Sequence, residues 1–297
     1  MIFRNIRWSL MALGTCAALL STSAHAVWTF GTSTVSGIAG TNMGDPTVSL
    51  SGVYATNNTT TGVVSGTWTS ASLVSYGSGG MGMTSDGGAT PNHALDNNGN
   101  TEAVLLQFGA STVLNSIGLG YTSNGQCRNN TSGAITTLAN DASCPTGTTL
   151  LSNGTTQVDL SVFRWLGAGT PTGSPTPLVG QASTTMAGWE LVGNYGDMVA
   201  DTSNPYNLVN SSGKSSSWWL ISAYNSGFAQ TTTSTTKIGT ENRGSLGNGG
   251  DYFKLYAVAG SKCTGTVDSK GVCTTITTKV PEPATLALTS VALIGVA

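Results

Sequence analysis

The densest set of groups able to do chemistry lies between His93 and Glu102. Asp96, Asn98, Asn100 and Glu102 place hard oxygen donors on alternate residues around Gly99, a pattern by which extracellular modules hold calcium. The glycine is fourth in this loop rather than sixth, and only two formal negative charges are present. The expected calcium affinity is weak, and no cofactor is required. The competing reading is structural: Asp96 and Asn97 cap a turn through Asx-type hydrogen bonds, while His93 packs beside a strand at Val104. Catalysis has little to work with. His93 is the only imidazole after residue 26, and although Asp96 is close in sequence, no Gly-x-Ser-x-Gly elbow occurs. Two of Asp86, Asp96, Glu102, Glu190, Asp197 and Asp251 could form a glycosidase pair only at the required carboxylate separation. The sequence reads as non-enzymatic.

A second chemistry open to this chain is sugar recognition. Trp28, Trp68, Trp165, Trp189, Trp218 and Trp219 follow residue 26, and an aromatic ring on a sandwich surface can stack on a sugar while neighbouring Asn and Asp fix its orientation. Trp189 and His93 are the candidate glycan contacts, with extracellular polysaccharide as the partner. Against this, a chain with few large aliphatic residues must use its aromatics to build a core.

The elements that would position these groups are strands. Apolar residues come in short runs separated by Gly, Asn, Ser and Thr, without the 3.6-residue period of helices. Strands are expected over Gly66–Tyr76, Ala103–Phe108, Val113–Tyr121, Gln157–Leu166, Trp189–Tyr195, Trp218–Tyr224 and Tyr252–Val258. In the third of these, Val113, Ile117, Leu119 and Tyr121 alternate as one buried face, with Asn115 the polar exception. Trp218-Trp219-Leu220-Ile221 is apolar on both faces and should be a central strand. The expected fold is all-β, an antiparallel, jelly-roll-like β-sandwich over residues 27–279.

Charged residues make up 8% of the chain, against about 25% in an average soluble domain. With 40 glycines and abundant Ser, Thr and Asn, the surface is polar without being charged. Residues 27–279 carry nine basic and twelve acidic side chains and no basic block, which excludes nucleic acid and anionic membrane surfaces as partners. Cys127, Cys144, Cys263 and Cys273 form two local pairs, expected as disulfides of an exported protein, although four cysteines allow three connectivities. Asn57, Asn58, Asn129, Asn130, Asn153 and Asn210 sit in N-x-S/T triplets, as chance alone provides in so Asn-, Ser- and Thr-rich a chain.

Both termini carry addresses. Arg4 and Arg7, an apolar stretch from Trp8 to Leu20 and the small residues Ala24 and Ala26 form a Sec-type signal peptide over 1–26, so the mature chain should begin at Val27. At the other end, Val280-Pro281-Glu282-Pro283 precedes an apolar run to Ala297. Two prolines keep Glu282 in an extended segment, just outside a short stretch expected to be helical. Residues 280–297 resemble the PEP-CTERM sorting signal, which a membrane-embedded exosortase recognises and cuts in Gram-negative bacteria. The apolar run of 14 residues is shorter than the roughly 17–25 of a spanning helix, and the arginine cluster of the family pattern is not among the residues that follow Pro283. Four stretches of the body, Thr90–Phe108, Gly188–Tyr195, Trp218–Asn225 and Asp251–Gly260, also resemble an exosortase-dependent surface protein family. The resemblance implies a secreted, non-enzymatic protein of the cell surface or extracellular matrix. Its partners would be the export machinery and the exosortase, with transient inner-membrane contact through the tail.

Overall fold

Strands account for nearly every regular element. The structure, a computed structural model, describes residues 26–30, 38–39, 45–85, 93–137, 144–152, 156–173, 176–201, 206–229, 237–247 and 249–276. Ala24, the Pro281-Glu282-Pro283 clip and the expected C-terminal apolar helix lie outside them. The strands in chain order are β1 (Ala26–Thr29), β2 (Ile38–Ala39), β3 (Thr47–Thr56), β4 (Thr69–Ala71), β5 (Leu73–Ser75), β6 (Met81–Met83), β7 (Asn100–Ser123) and β8 (Gln126–Asn129). They continue with β9 (Ile135–Thr137), β10 (Thr148–Leu150), β11 (Val158–Trp165), β12 (Trp189–Met198), β13 (Tyr206–Leu208), β14 (Ser215–Ala223), β15 (Lys237–Arg243) and β16 (Tyr252–Lys262).

The two strands expected at Ala103–Phe108 and Val113–Tyr121 are one continuous strand, β7. It belongs to both layers of the sandwich. Its first half lies between β3 and β14, and β14 continues through β11 and β12 to β15. Its second half pairs with β16, which carries β1 and β6 on its other side. Pairing is antiparallel throughout these layers except between β12 and β15, which run parallel. The expected strand Gly66–Tyr76 divides instead: β4 pairs with β3 in one layer and β5 with β6 in the other, so the chain changes layer at Ser72.

Alternation along β7 departs from the expectation, for a physical reason. Ser116 and Leu114 face the consecutive residues Ala259 and Gly260, so Asn115 is an extra, bulged residue. A bulge reverses the parity of the side chains. Leu114 joins Ile117 and Leu119 in the core, while Val113 turns to the other side and Tyr121 is half-buried. Central strand β14 behaves as its apolar run predicts. Trp219 and Ile221 enter the core between the layers with Trp28, Phe108 and Phe253, whereas Trp218 and Leu220 point outward into a second cluster. That outer cluster includes Trp189 of β12, together with Trp68, Leu178, Met186 and Phe228 from segments that cover the back of the sheet.

Both disulfides take the local pairing, Cys127–Cys144 and Cys263–Cys273, each with a Cα–Cα distance of 5.8 Å. The first staples the small sheet β10-β8-β9, and the second closes the hairpin that follows β16.

Candidate functional site

Loops from several strands converge at one end of the sandwich. β7 brings both of its ends there: Ser123 pairs with Tyr252, and Asn98, two residues before β7, donates its amide to the Tyr252 hydroxyl at 2.7 Å. Leu95 anchors the approach by exchanging both backbone hydrogen bonds with Phe253, at 2.7 and 2.9 Å. A cleft opens between segments 57–62, 97–99 and 249–250 and the side of Asn225.

The asparagines around this cleft act mostly as internal struts. Asn97 donates to the Tyr224 carbonyl and to Asp251, and accepts from the Asp251 N–H at 2.9 Å. Asn225 accepts from the Val64 and Gly227 N–H groups and donates to the Gly62 carbonyl and the Thr101 hydroxyl. Asn57 donates to the Asn97 carbonyl and accepts from Thr101. Each side-chain amide mimics a peptide group and satisfies loop backbone that no ladder reaches. The same occupation applies to Asn210, whose buried amide donates to the Leu114 and Lys214 carbonyls.

Three of the four calcium candidates, Asp96, Asn98 and Glu102, make side-chain hydrogen bonds within the fold. Asp96 is buried and its Oδ1 accepts the Asn98 N–H at 2.9 Å, the Asx turn of the structural reading. Glu102, fully buried in β7, accepts from the Ser85 hydroxyl and from the Asp96 N–H. The Asn98 amide nitrogen is turned to Tyr252, and Asn100 pairs with Thr56. No group of three or more His, Cys, Asp or Glu placed to hold a metal ion occurs among the described residues. Asn97 differs from expectation, bridging to Asp251 and Tyr224 instead of capping its own turn.

Trp189 is fully buried against Trp165, at 5.8 Å between ring centroids, so its ring cannot stack on a glycan. The reason is the outer cluster, which gives this face of the sheet a cover of its own. His93 is half-buried and packs against Tyr76 rather than beside Val104. Its Nε2 lies 3.2 Å from Lys254 Nζ, which also sits 4.1 Å from the Tyr76 ring centre and 4.6 Å from that of Tyr121. Burial lowers the Lys254 ammonium to about 8. The amine and the imidazole lie within hydrogen-bond distance of each other.

Among the glycosidase carboxylates, Glu190 is locked between Arg164 and Lys214, both at 2.6 Å. Asp197 accepts from the Ser245 N–H, and Asp251 accepts from the Asp159 N–H and Asn97. Asp159, which sequence reasoning passed over, accepts from the Gly247 and Asp197 N–H groups. Burial, then the neighbouring Asp159 charge, pushes Asp251 well above the usual carboxylate range, and the hydrogen bonds it accepts only partly offset this. Asp159 is raised as well, chiefly by burial.

Comparison with family models, curated proteins and solved structures returns no match for this chain.

A pH dependence follows from the raised Asp251. The folded state binds this proton more tightly than the unfolded chain, so the contribution is full below the unfolded pKa. It is lost as pH rises through the folded pKa. Urea unfolding of the wild type and Asp251→Asn across acid to neutral pH should show the wild type losing stability relative to the variant as pH rises. Parallel profiles would remove Asp251 as the source.

Proposed function

We propose that this chain is a non-enzymatic protein of the cell surface or extracellular matrix of a Gram-negative bacterium, exported by a Sec-type route and sorted by an exosortase. The observation that carries the reading is the pairing, in one chain, of a signal-like N-terminus with Val280-Pro281-Glu282-Pro283 ahead of an apolar run. Two disulfides favour an oxidising compartment, and among the described residues no helix is long and apolar enough to cross a membrane. Signal cleavage before Val27 leaves Trp28 in place and gives up a single ladder pair, Ala26 with Gly260.

The processing chemistry belongs to the exosortase, and the protein's own share is presentation of Glu282 between two prolines. Glu282→Ala should leave the melting temperature of the globule unchanged while shifting the protein between cell-surface and medium fractions. Mass spectrometry of the native product reads both termini. An unaltered distribution together with an unprocessed C-terminus in the wild type would count against the sorting proposal.

A further inference from the structure

We propose that the amide-lined cleft at the loop end of the sandwich is a binding site for a neutral, polyhydroxylated ligand, a glycan unit of a larger polymer. This inference is independent of how the chain is sorted. The cleft has a volume of about 190 Å³, and the described residues that line it are all Asn, Thr or Gly. That composition selects by exclusion. Among the described residues no carboxylate lines the opening to neutralise a metal ion, and no apolar side chain lines it to desolvate a hydrophobic ligand. Among the described residues no Lys, Arg or His lines it to neutralise an anionic ligand. Neutral hydroxyls remain as the matching chemistry.

The polar groups facing the cleft have fixed orientations, because the other half of each side chain is already held. Asn58 spends its Oδ1 on the Thr60 and Thr61 N–H groups, at 2.9 and 3.0 Å, which leaves its amide nitrogen as a donor. Asn98 spends its amide nitrogen on Tyr252, which leaves its Oδ1 as an acceptor. The Thr59 hydroxyl and the backbone of Gly249 and Gly250 complete the lining. A sugar hydroxyl both donates and accepts, so preset donors and acceptors at separate points of one cleft suit adjacent hydroxyls of one ring. Tyr252 adds no stacking platform, since it is buried and its ring lies under Gly250. Without an aromatic face, affinity for a single unit is in the millimolar range, and retention on a polymer comes from many weak contacts.

The test is a titration of isotope-labelled protein with cellotetraose and with triacetylchitotriose, followed by amide NMR, with trigalacturonate as the charged comparison. Expected are shifts in the side-chain amides of Asn58 and Asn98 and the backbone of Gly249 and Gly250 with at least one neutral oligosaccharide, and none with trigalacturonate. Gly249→Phe blocks the cleft without disturbing the fold, because a Cβ there meets nothing within 4 Å and the residue is not in the left-handed region. It should abolish the shifts while the rest of the spectrum is retained. Thr59→Val, a milder change at an exposed hydroxyl, should weaken binding about fivefold. Absence of cleft shifts up to the solubility limit of both neutral sugars overturns the proposal, as does binding that survives Gly249→Phe.

Discussion

Arg164→Met should lower the free energy of unfolding by about 3–5 kcal/mol, among the largest effects available to a single substitution in this protein. Arg164 lies near the end of β11, almost fully buried, in a chain with very few charges. Its guanidinium donates to Glu190 at 2.6 Å and to the carbonyls of Ser215 and Lys270, at 3.0 and 3.3 Å. Methionine fills similar volume and removes all of these donors. Glu190 then retains only Lys214, which is more exposed than Arg164, and buried carbonyls lose their partners. The consequence is local as well as global. Gly271, at φ +83°, lies so close that a Cβ there would fall 1.9 Å from an Arg164 nitrogen, so the disulfide-closed hairpin is seated on this side chain. Trypsin should therefore cut after Lys270 faster in the variant than in the wild type. Urea unfolding within about 1 kcal/mol of the wild type would show that the arginine is replaceable packing.

Arg164 also illustrates what was readable in the sequence. A lone positive charge inside Val158–Trp165, a mostly apolar strand whose one other charge is Asp159, signals an internal partner. It does not name Glu190 or the Lys270 carbonyl, which lie 26 and 106 residues away. The strands with apolar residues on both faces were legible because burial on two sides needs a continuous run, and β14 is the clear case. β3 was not legible, although it makes an uninterrupted ladder with β7. Val48, Leu50 and Tyr54 face the core between the layers, while Val53 and Ala55 face the outer cluster, so the polar–apolar alternation of the first half is lost in the second, which is apolar on both faces. β1 was hidden by the resemblance of Ala24-His25-Ala26 to a cleavage site, although Trp28 behind it is a core residue bonded to the Pro46 carbonyl.

The site was legible as a location and not as a mechanism. Residues 96–102 do lie at the loop end of the sandwich, and Asp96 does form its Asx turn. β7 begins at Asn100, earlier than the expected start at Ala103, which places Asn100 and Glu102 in the strand, with Glu102 buried. Asn97 was read as a cap of its own turn and Asn225 gave no signal, because their partners, Asp251 and the Gly62 carbonyl, are 154 and 163 residues distant. Asparagine spacing in the sequence carries no record of which amides have become internal struts.

Trp219→Ala should cost about 3–5 kcal/mol, the range for emptying a large aromatic from a core. Trp219 is fully buried between the layers, and its indole N–H is shared by the Thr112 and Ser216 carbonyls at 3.2 and 3.0 Å. Those two carbonyls sit where β14 crosses from the first half of β7 to the second, as the register shift between Ser216 and Trp218 records. The ring thus fills the interior and also ties β14 to the crossover of β7. Trp218 offers an internal comparison, because it is its sequence neighbour and points to the opposite face. Trp218→Ala should cost less, since the cluster it leaves is covered by connecting segments that can close partly over the cavity. It should also raise hydrogen exchange in those segments while leaving β16 protected. Trp219→Ala should raise exchange in β7 and β16 together, since both layers share the core that it opens. An equal loss of stability with the same exchange pattern in the two variants would show that the outer cluster and the inner core unfold as one, and that β14 does not divide them.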